Sequence, residues 1–357
     1  MPRNRNRVFV AKGKKVRLQD IARAAGVSGA TVSRVINRTG KVSPALEARV
    51  QRIAGRMKVD LAARLKPRLI GFVLGNRPLL HPFHSRILAG VEAACAEHNY
   101  HVVFIALRYR QDVPAAALDI PRLLLRQDIL DGCVLAGVHS QNLLDRLSQT
   151  TAALAVQGNN VERPWHEGRY DTVYYDDVEG GYAMTRHLQS LGHRDIWFVG
   201  NRQYPWFDRC YDGYARAMSE ADTPARVVAP DCEDPREAGY RGTQALLAEG
   251  APVTAIFAGS DATAQGVCDA IRDAGLRVPD DISVGGLDDI EAQTMHPRLA
   301  TVRIALEDVG RALAGCIMSR LAAPTLPARQ LTLPTSLIAG ASCAPPRRAR
   351  AARARRA

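Results

Sequence analysis

The stretch VRLQDIARAAGVSGATVSRVINRTGKVSPALEARVQRIA, residues 16 to 54, carries the reading of the N-terminal fold. Leu18, Ile21, Ala22 and Ala25 recur at i, i+3, i+4 and i+7, the spacing that lines up one face of a helix. That helix ends at Gly26, which enters a left-handed turn without the Cβ clash other residues meet. Ser28 then offers an N-cap oxygen, and Val32, Val35 and Ile36 put a second stripe on 29–37. A third stripe, Leu46, Val50, Ile53 and Met57, follows Ser43-Pro44, an N-cap with proline at the favoured first helical position. Three short helices sharing one apolar core are predicted. Only Gly26-Val27-Ser28 separates the first two, the tight link of a helix-turn-helix whose second helix can lie in a major groove. Plain three-helix packing is the competing reading.

These residues closely resemble the DNA-binding headpiece of the LacI/GalR family of bacterial transcription factors. The resemblance is carried by Asp20, Ala22, Ala25, Gly26, Val27, Ser28, Thr31, Val32, Ser33, Arg34, Val35, Asn37, Val42 and Ser43. It implies operator double-stranded DNA as a partner. Ser28, Thr31, Ser33 and Asn37 would donate to phosphate oxygens and set register, while Arg34 has the planar fork for guanine O6 and N7. Gly29 and Ala30 occupy the two positions that usually choose the operator sequence in the family. Neither has a hydrogen-bonding side chain, so direct base readout should be thin, with Ala30 limited to a methyl contact on thymine.

After the headpiece the pattern weakens. In the family a Tyr-x-Pro-Asn stretch leads into a hinge helix that folds on operator DNA and wedges a leucine into the minor groove. This chain has Met57-Lys58-Val59-Asp60 instead. Asp60 can still cap a short helix through Ala62, Ala63 and Arg64, with Pro67 discouraging continuation. Leu65 is the apolar candidate for the wedge, one position early, with Lys66 where leucine is expected. Ala63 and Leu65 are thus the hinge residues expected on DNA, unless the third helix simply runs on.

Charge separates the chain in the same way. Residues 1–68 carry 18 Lys/Arg against Asp20, Glu47 and Asp60, and the tail from Pro345 to Ala357 carries six Arg and no acid. With a total of +12, residues 69–344 are left at −9, so basic ends that suit a polyanion flank an acidic body. Seven cysteines without a CxxC pair suggest neither a disulfide framework nor a zinc cluster, and no metal or cofactor is expected. The apolar runs are far shorter than a membrane span, and Val8–Ala11 is too short for the core of a secretory signal. A cytoplasmic protein with no membrane partner is expected.

From Leu69 onward, short apolar runs alternate with helical patterns. LIGFVLG precedes 87–98; HVVFIAL precedes 115–126; GCVLAG and LAVQG follow; IWFVG precedes 209–220; RVVAP precedes 236–249; AIFAG precedes 261–274; ISVGGLDD closes the series. Strands of this length separated by helices predict parallel, doubly wound α/β structure.

The family resemblance continues through Pro82-Phe83, Asp131-Gly132, Asp176-Asp177, Leu191-Gly192-His193-Arg194, Arg209, Gly213-Tyr214, Asp261, residues 278–284, Gly286-Leu287-Asp288-Asp289-Ile290 and Thr301-Val302-Arg303. It implies a periplasmic-binding-protein-like core of two subdomains. The expected organisation is a basic arm (1–15), a headpiece (16–58), a hinge (59–68), a core (69–340) and a disordered basic tail (341–357). Within the core, subdomain one is placed at about 69–171 and 302–324, and subdomain two at about 172–301 and 325–340. By position, Arg209 and Asp288 are the leading candidates for bonding effector hydroxyls, followed by Asp177. Three departures bear on the ligand: His81 stands for the usual asparagine, Gln157 for aspartate and Ser260 for asparagine. They point to a bulkier effector or to one with its own negative charge, met by His81 and Arg209. Phe83, Trp206 and Phe207 could form a stacking wall or belong to the core.

No GxxxxGK, HExxH or GxSxG motif is present. The expected function is a transcriptional regulator, a repressor in the first instance, acting as a homodimer and controlled by a sugar, sugar acid or sugar phosphate. A sugar-handling enzyme with a DNA-binding head and a nonspecific nucleoid-type binder are the rivals. No heptad repeat follows Ala341, which disfavours a tetramerising coiled coil. The tail could add phosphate contacts or be an inert extension.

Overall fold

The computed structural model describes residues 8–11, 14–37, 42–59, 61, 67–78, 81–161 and 170–347, with backbone alone at 8–11, 14, 15 and 37. The chain divides into two compact units, Met1–Arg68 and Leu69–Ala357.

A hairpin, β1 (Val8–Ala11) antiparallel to β2 (Lys14–Arg17), starts in the expected basic arm and runs two residues past it. Three helices follow: α1 (Leu18–Ala25), α2 (Gly29–Asn37) and α3 (Pro44–Arg56). The Arg17 N–H donates to Asp20 at 2.7 Å at the start of α1, and Gly26 ends it at φ 60°. The Ser43 hydroxyl accepts from Leu46 N–H to open α3. Leu18, Ile21, Ala25, Val32, Val35, Ile36, Val50 and Ala54 form the core. Val59 and Leu61 join it, so the packed head continues past residue 58 into the segment expected to be hinge. Lys58, at φ 57°, turns the chain back to allow this. The expected hinge contacts Ala63 and Leu65 lie outside the described residues, as do arm residues 1–7 and tail residues 348–357.

The second unit contains two six-stranded sheets. The first is built from β3 (Leu69–Gly75), β4 (His101–Leu107), β5 (Gly132–Gly137), β6 (Leu154–Gln157), β7 (Asp171–Tyr175) and β13 (Gln330–Leu333), in the order β13-β7-β6-β5-β3-β4, with every pairing parallel. The second contains β8 (Ile196–Val199), β9 (Arg226–Val228), β10 (Ala255–Ala258), β11 (Ser283–Asp288), β12 (Ala300–Arg303) and β14 (Ser336–Ile338). Its order is β14-β12-β11-β10-β8-β9, antiparallel only at β12–β14. Ile70, Phe72 and Leu74 of β3 join one core cluster with α4 (Pro82–Glu97) and α10 (Leu306–Ala322), while Val73 joins another with α5 (Gln141–Thr150). Both faces are covered, as parallel sheets require. In the second half, α6 (Asp177–Ser190), α7 (Pro205–Glu220), α8 (Pro235–Ala248) and α9 (Asp261–Asp273) fill the same role.

The chain passes between the sheets three times, after β7, β12 and β13. β7 belongs wholly to the first sheet, which therefore reaches Tyr175 rather than 171, and β12 belongs to the second. Residues 330–333 pair with β7 and lie in the first sheet, against the expected placement of 325–340 in subdomain two. Asp171 explains the pairing: it accepts from the Arg329 N–H at 2.8 Å and from Arg320 of α10 at 2.8 Å.

Two further expectations fail. Residues 115–126 form two short 3-10 turns, Ala115–Ala117 and Arg122–Leu125, because Pro114 and Pro121 interrupt the backbone while Leu118, Ile120 and Leu124 are buried. Residues 341–347, expected in the disordered tail, pack on the core: Ser342 is buried with its Oγ accepting from Ala300 N–H at 2.8 Å, and Arg347 meets Asp281 at 2.6 Å. Among the described residues, no helix is long and apolar enough to cross a membrane.

Candidate functional site

In the first unit, α2 presents its polar residues at graded depth. Ser28 Oγ accepts from Thr31 N–H at 3.0 Å and lies 2.9 Å from Thr31 Oγ1, so these two hydroxyls close the helix start. Ala30 and Arg34 are exposed and, one turn apart, share a face. Thr31, Ser33 and Gly29 are half-buried. A Cβ on Gly29 would touch Leu18 Cδ2 at 3.4 Å, an ordinary contact that packs α2 against α1. Asn37 closes α2, and its side chain lies outside the description.

In the second unit, a cavity of about 100 Å³ lies where both sheets bring loops and helix starts together. Arg77, His81, Phe83, His84, Asn160 and Tyr175 line it from the first half. Asp177, Tyr204, Trp206, Phe207, Glu233, Ser260, Asp288 and Glu291 line it from the second. This is the crevice at strand carboxyl ends where open α/β sheets take ligands.

Local structure fixes most of these side chains. His81 Nδ1 accepts from Phe83 N–H at 3.3 Å and caps α4, with Pro82 in the first turn. Burial, then the charge of Arg77, lower its pKa, so the ring is neutral at pH 7 with its proton on Nε2. Ser260 caps α9, accepting from Thr263 N–H at 3.1 Å. Phe83 stands edge-on to Tyr175, 6.0 Å between ring centres. Asp288 ends β11 at φ 111°, a backbone region costly for a side-chain-bearing residue and one that turns its carboxyl.

Three carboxylates, Asp261, Asp288 and Glu291, have oxygens within 4.8 Å of one another. Asp261 accepts from Thr301 Oγ1 at 2.6 Å and from the N–H groups of Ile290 and Ala292 at 2.9 and 3.0 Å. Burial raises it to about 6, and burial, then the charges of Asp261 and Glu291, raise Asp288. The donors gathered on Asp261 favour its ionised form, while burial and the neighbouring carboxylates favour the protonated form of Asp288. Glu291 Oε2 is buried and has no hydrogen-bond partner among the described residues.

The structure brings His81, Phe83, Asp177, Ser260 and Asp288 onto one cavity, with Trp206 and Phe207 beside them. It separates two candidates from it. Arg209 pairs with Asp177 through Nε at 3.1 and 3.0 Å, donates to the Asn159 carbonyl and lines a neighbouring recess with Gln330 and Thr332. Gln157 is fully buried at the end of β6, and neither of its amide atoms finds a partner among the described residues. Arg77, His84, Tyr204, Glu233 and Glu291 were missed by sequence reasoning. Arg77 could have been found, since it follows β3 at a strand carboxyl end.

Residues 17–58 match the family described as bacterial regulatory proteins, lacI family, and residues 185–343 match a periplasmic binding protein-like domain. The chain is 31% identical over 335 residues to a ribose operon repressor of Haemophilus influenzae, covering 90% of this chain and 97% of that one. It is 30% identical to the HTH-type transcriptional regulator DegA of Bacillus subtilis, covering 83% and 88%. Its fold matches that of the transcriptional regulator CelR in its cellobiose complex at TM-score 0.66 and 26% identity, over 92% of this chain and 99% of that one. With its helix-turn-helix head and two-subdomain core, the chain belongs to the lacI family of bacterial regulatory proteins and is a DNA-binding transcriptional regulator.

Proposed function

We propose that the cleft binds a polyhydroxy metabolite of single-sugar size and that its occupancy sets the affinity of a homodimer for operator DNA. The observation that carries this is the cavity itself, which joins the carboxyl groups of Asp288 and Glu291 to the rings of Phe83, Trp206 and Phe207. Hydroxyls need forked acceptors and a sugar ring needs an apolar wall. About 100 Å³ corresponds to room for roughly seven or more waters, which suits one ring. The relatives named for ribose and cellobiose support the ligand class. Each head of a dimer would take one half-site in the cytoplasm, and a ligand preferring one arrangement of the two subdomains would shift DNA affinity by that preference alone.

Binding, rather than turnover, is the role assigned to the cleft; an assay with the bound sugar that yields product would reverse it. The deciding experiment is a thermal-shift screen of sugars, sugar acids and sugar phosphates, each hit titrated against operator DNA in competition with genomic DNA. A regulator keeps a specificity ratio of about 10³ or more, and its operator affinity changes with the hit. Equal affinity for all DNA would favour the nucleoid-type reading instead.

A further inference from the structure

Arg77 is a cation of the cavity wall whose hydrogen-bonding fork is not engaged by any of the described residues. It follows β3, is half-buried, and among the described residues makes neither a hydrogen bond nor an ion pair within 4 Å. Aromatic faces hold it instead. Its guanidinium carbon stands 4.9 Å from the Trp206 ring centre and 5.5 Å from that of Tyr204. Those two rings are themselves stacked, 4.8 Å apart with planes at 17°. Cation–π attraction holds a guanidinium without consuming its N–H donors, which are left for a ligand. Two further arginines near the cleft have carboxylate partners: Arg209 pairs with Asp177, and Arg86 lies 4.0 Å from Glu307. Neutral His81, whose ring Arg77 perturbs, can add an Nε2–H donor. Asp288 and Glu291 line the same cavity from the other subdomain. Among the described residues, the wall therefore combines a cation without a hydrogen-bond partner with the carboxyl groups of Asp288 and Glu291.

We propose that Arg77 anchors an oxyanion carried by the effector, so that the natural ligand is an acidic sugar derivative whose hydroxyls meet Asp288 and Glu291 while its carboxylate or phosphate meets Arg77 against the Tyr204–Trp206 pair. This rests on the reading of the cleft as a sugar site and deepens it. A bidentate pair between a planar fork and an oxyanion is strong and directional, and the stacked rings hold the fork in place beforehand. Glu233, exposed and lining the same cavity, is the carboxylate with which the ligand's anion competes for Arg77.

The test uses the full chain and two matched series: ribose, ribonate and ribose 5-phosphate; glucose, gluconate and glucose 6-phosphate, with inorganic phosphate as the free anion. Affinities are read by calorimetry and by tryptophan fluorescence. The expected result is that one acid or phosphate binds at least about tenfold more tightly than its neutral parent, that Arg77→Gln removes this preference and that Arg77→Lys keeps part of it. The carboxylate and phosphate arms show which oxyanion is meant. Melting curves of both variants check folding; should Arg77→Gln fail to fold, the Arg77→Lys loss and a steeper salt dependence of the anion than of its parent carry the test. Tighter binding of the neutral sugars, or an anion preference that survives in Arg77→Gln, overturns the proposal while leaving the sugar reading standing. Inorganic phosphate binding as tightly as the sugar anion also overturns it. If no member of either series binds, both readings fall.

Discussion

Arg209 Nε lies 3.1 and 3.0 Å from the two carboxylate oxygens of Asp177, and the two side chains are only 10% and 4% exposed. The pair ties α7 to the start of α6, and Asn159 adds an amide N–H to the same carboxylate at 3.0 Å. Removing one partner strands a buried charge. Arg209→Ala is expected to cost about 3–5 kcal/mol of stability, and Arg209→Leu combined with Asp177→Asn should recover part of it. Urea denaturation of the three proteins measures this. A loss under about 1 kcal/mol for Arg209→Ala would show that the pair does not hold the subdomain.

On α2, Arg34 is exposed one turn from Ala30. Arg34→Ala should weaken operator binding by about 1–3 kcal/mol, whereas Gly29→Ala and Ala30→Gly should change it less. Gly29→Ala meets only Leu18 Cδ2 at 3.4 Å and leaves the head folded. Fluorescence anisotropy on operator DNA at fixed salt decides it; a neutral Arg34→Ala defeats the assignment.

Burial lowers both His84 and His139 to about 3. These are bases with depressed folded pKa values, so the unfolded chain takes up protons first as pH falls. Their contribution is whole above about 6.5 and is lost towards pH 3, each at about 1.4 kcal/mol per pH unit. Asp261, raised to about 6, acts in the opposite sense and regains stability as pH falls through that value. Chemical denaturation between pH 7 and 4 should show a decline that His139→Asn makes shallower by about one proton. An unchanged slope in that variant would mean that His139 titrates normally.

The helices α4 and α10 cross at two glycines. A Cβ on Gly310 would stand 2.1 Å from the Ile87 carbonyl oxygen, and one on Gly90 would stand 2.0 Å from that of Glu307. Backbone cannot yield as a side chain tip can, so Gly310→Ala should destabilise by about 1–3 kcal/mol. Differential scanning calorimetry checks it: an unshifted melting transition would deny the close crossing.

Local pattern determined much of this protein. The i, i+3, i+4 spacing of Leu18, Ile21, Ala22 and Ala25, the αL turn at Gly26 and the caps at Ser28 and Ser43 act over a few residues, and α1 ends and α2 and α3 begin where they say. The short apolar runs likewise announced a parallel α/β core, because strands buried on both faces have to be apolar almost throughout. Residues 115–126 show the limit, since Pro114 and Pro121 outweighed an apolar pattern that resembled a helix.

Tertiary structure decided the rest. β13, QLTL at 330–333, is largely exposed and carries no apolar run, so only its pairing with β7, and the bonds of Asp171 to Arg320 and Arg329, assign it to the first sheet. The same holds at the cleft. Whether an arginine is available to a ligand depends on which carboxylate lies within reach, and Asp177, 32 residues away in the chain, engages Arg209 while Arg77 rests on Trp206. Charge pairing of this kind is a property of distances in space, which residue order alone leaves undetermined.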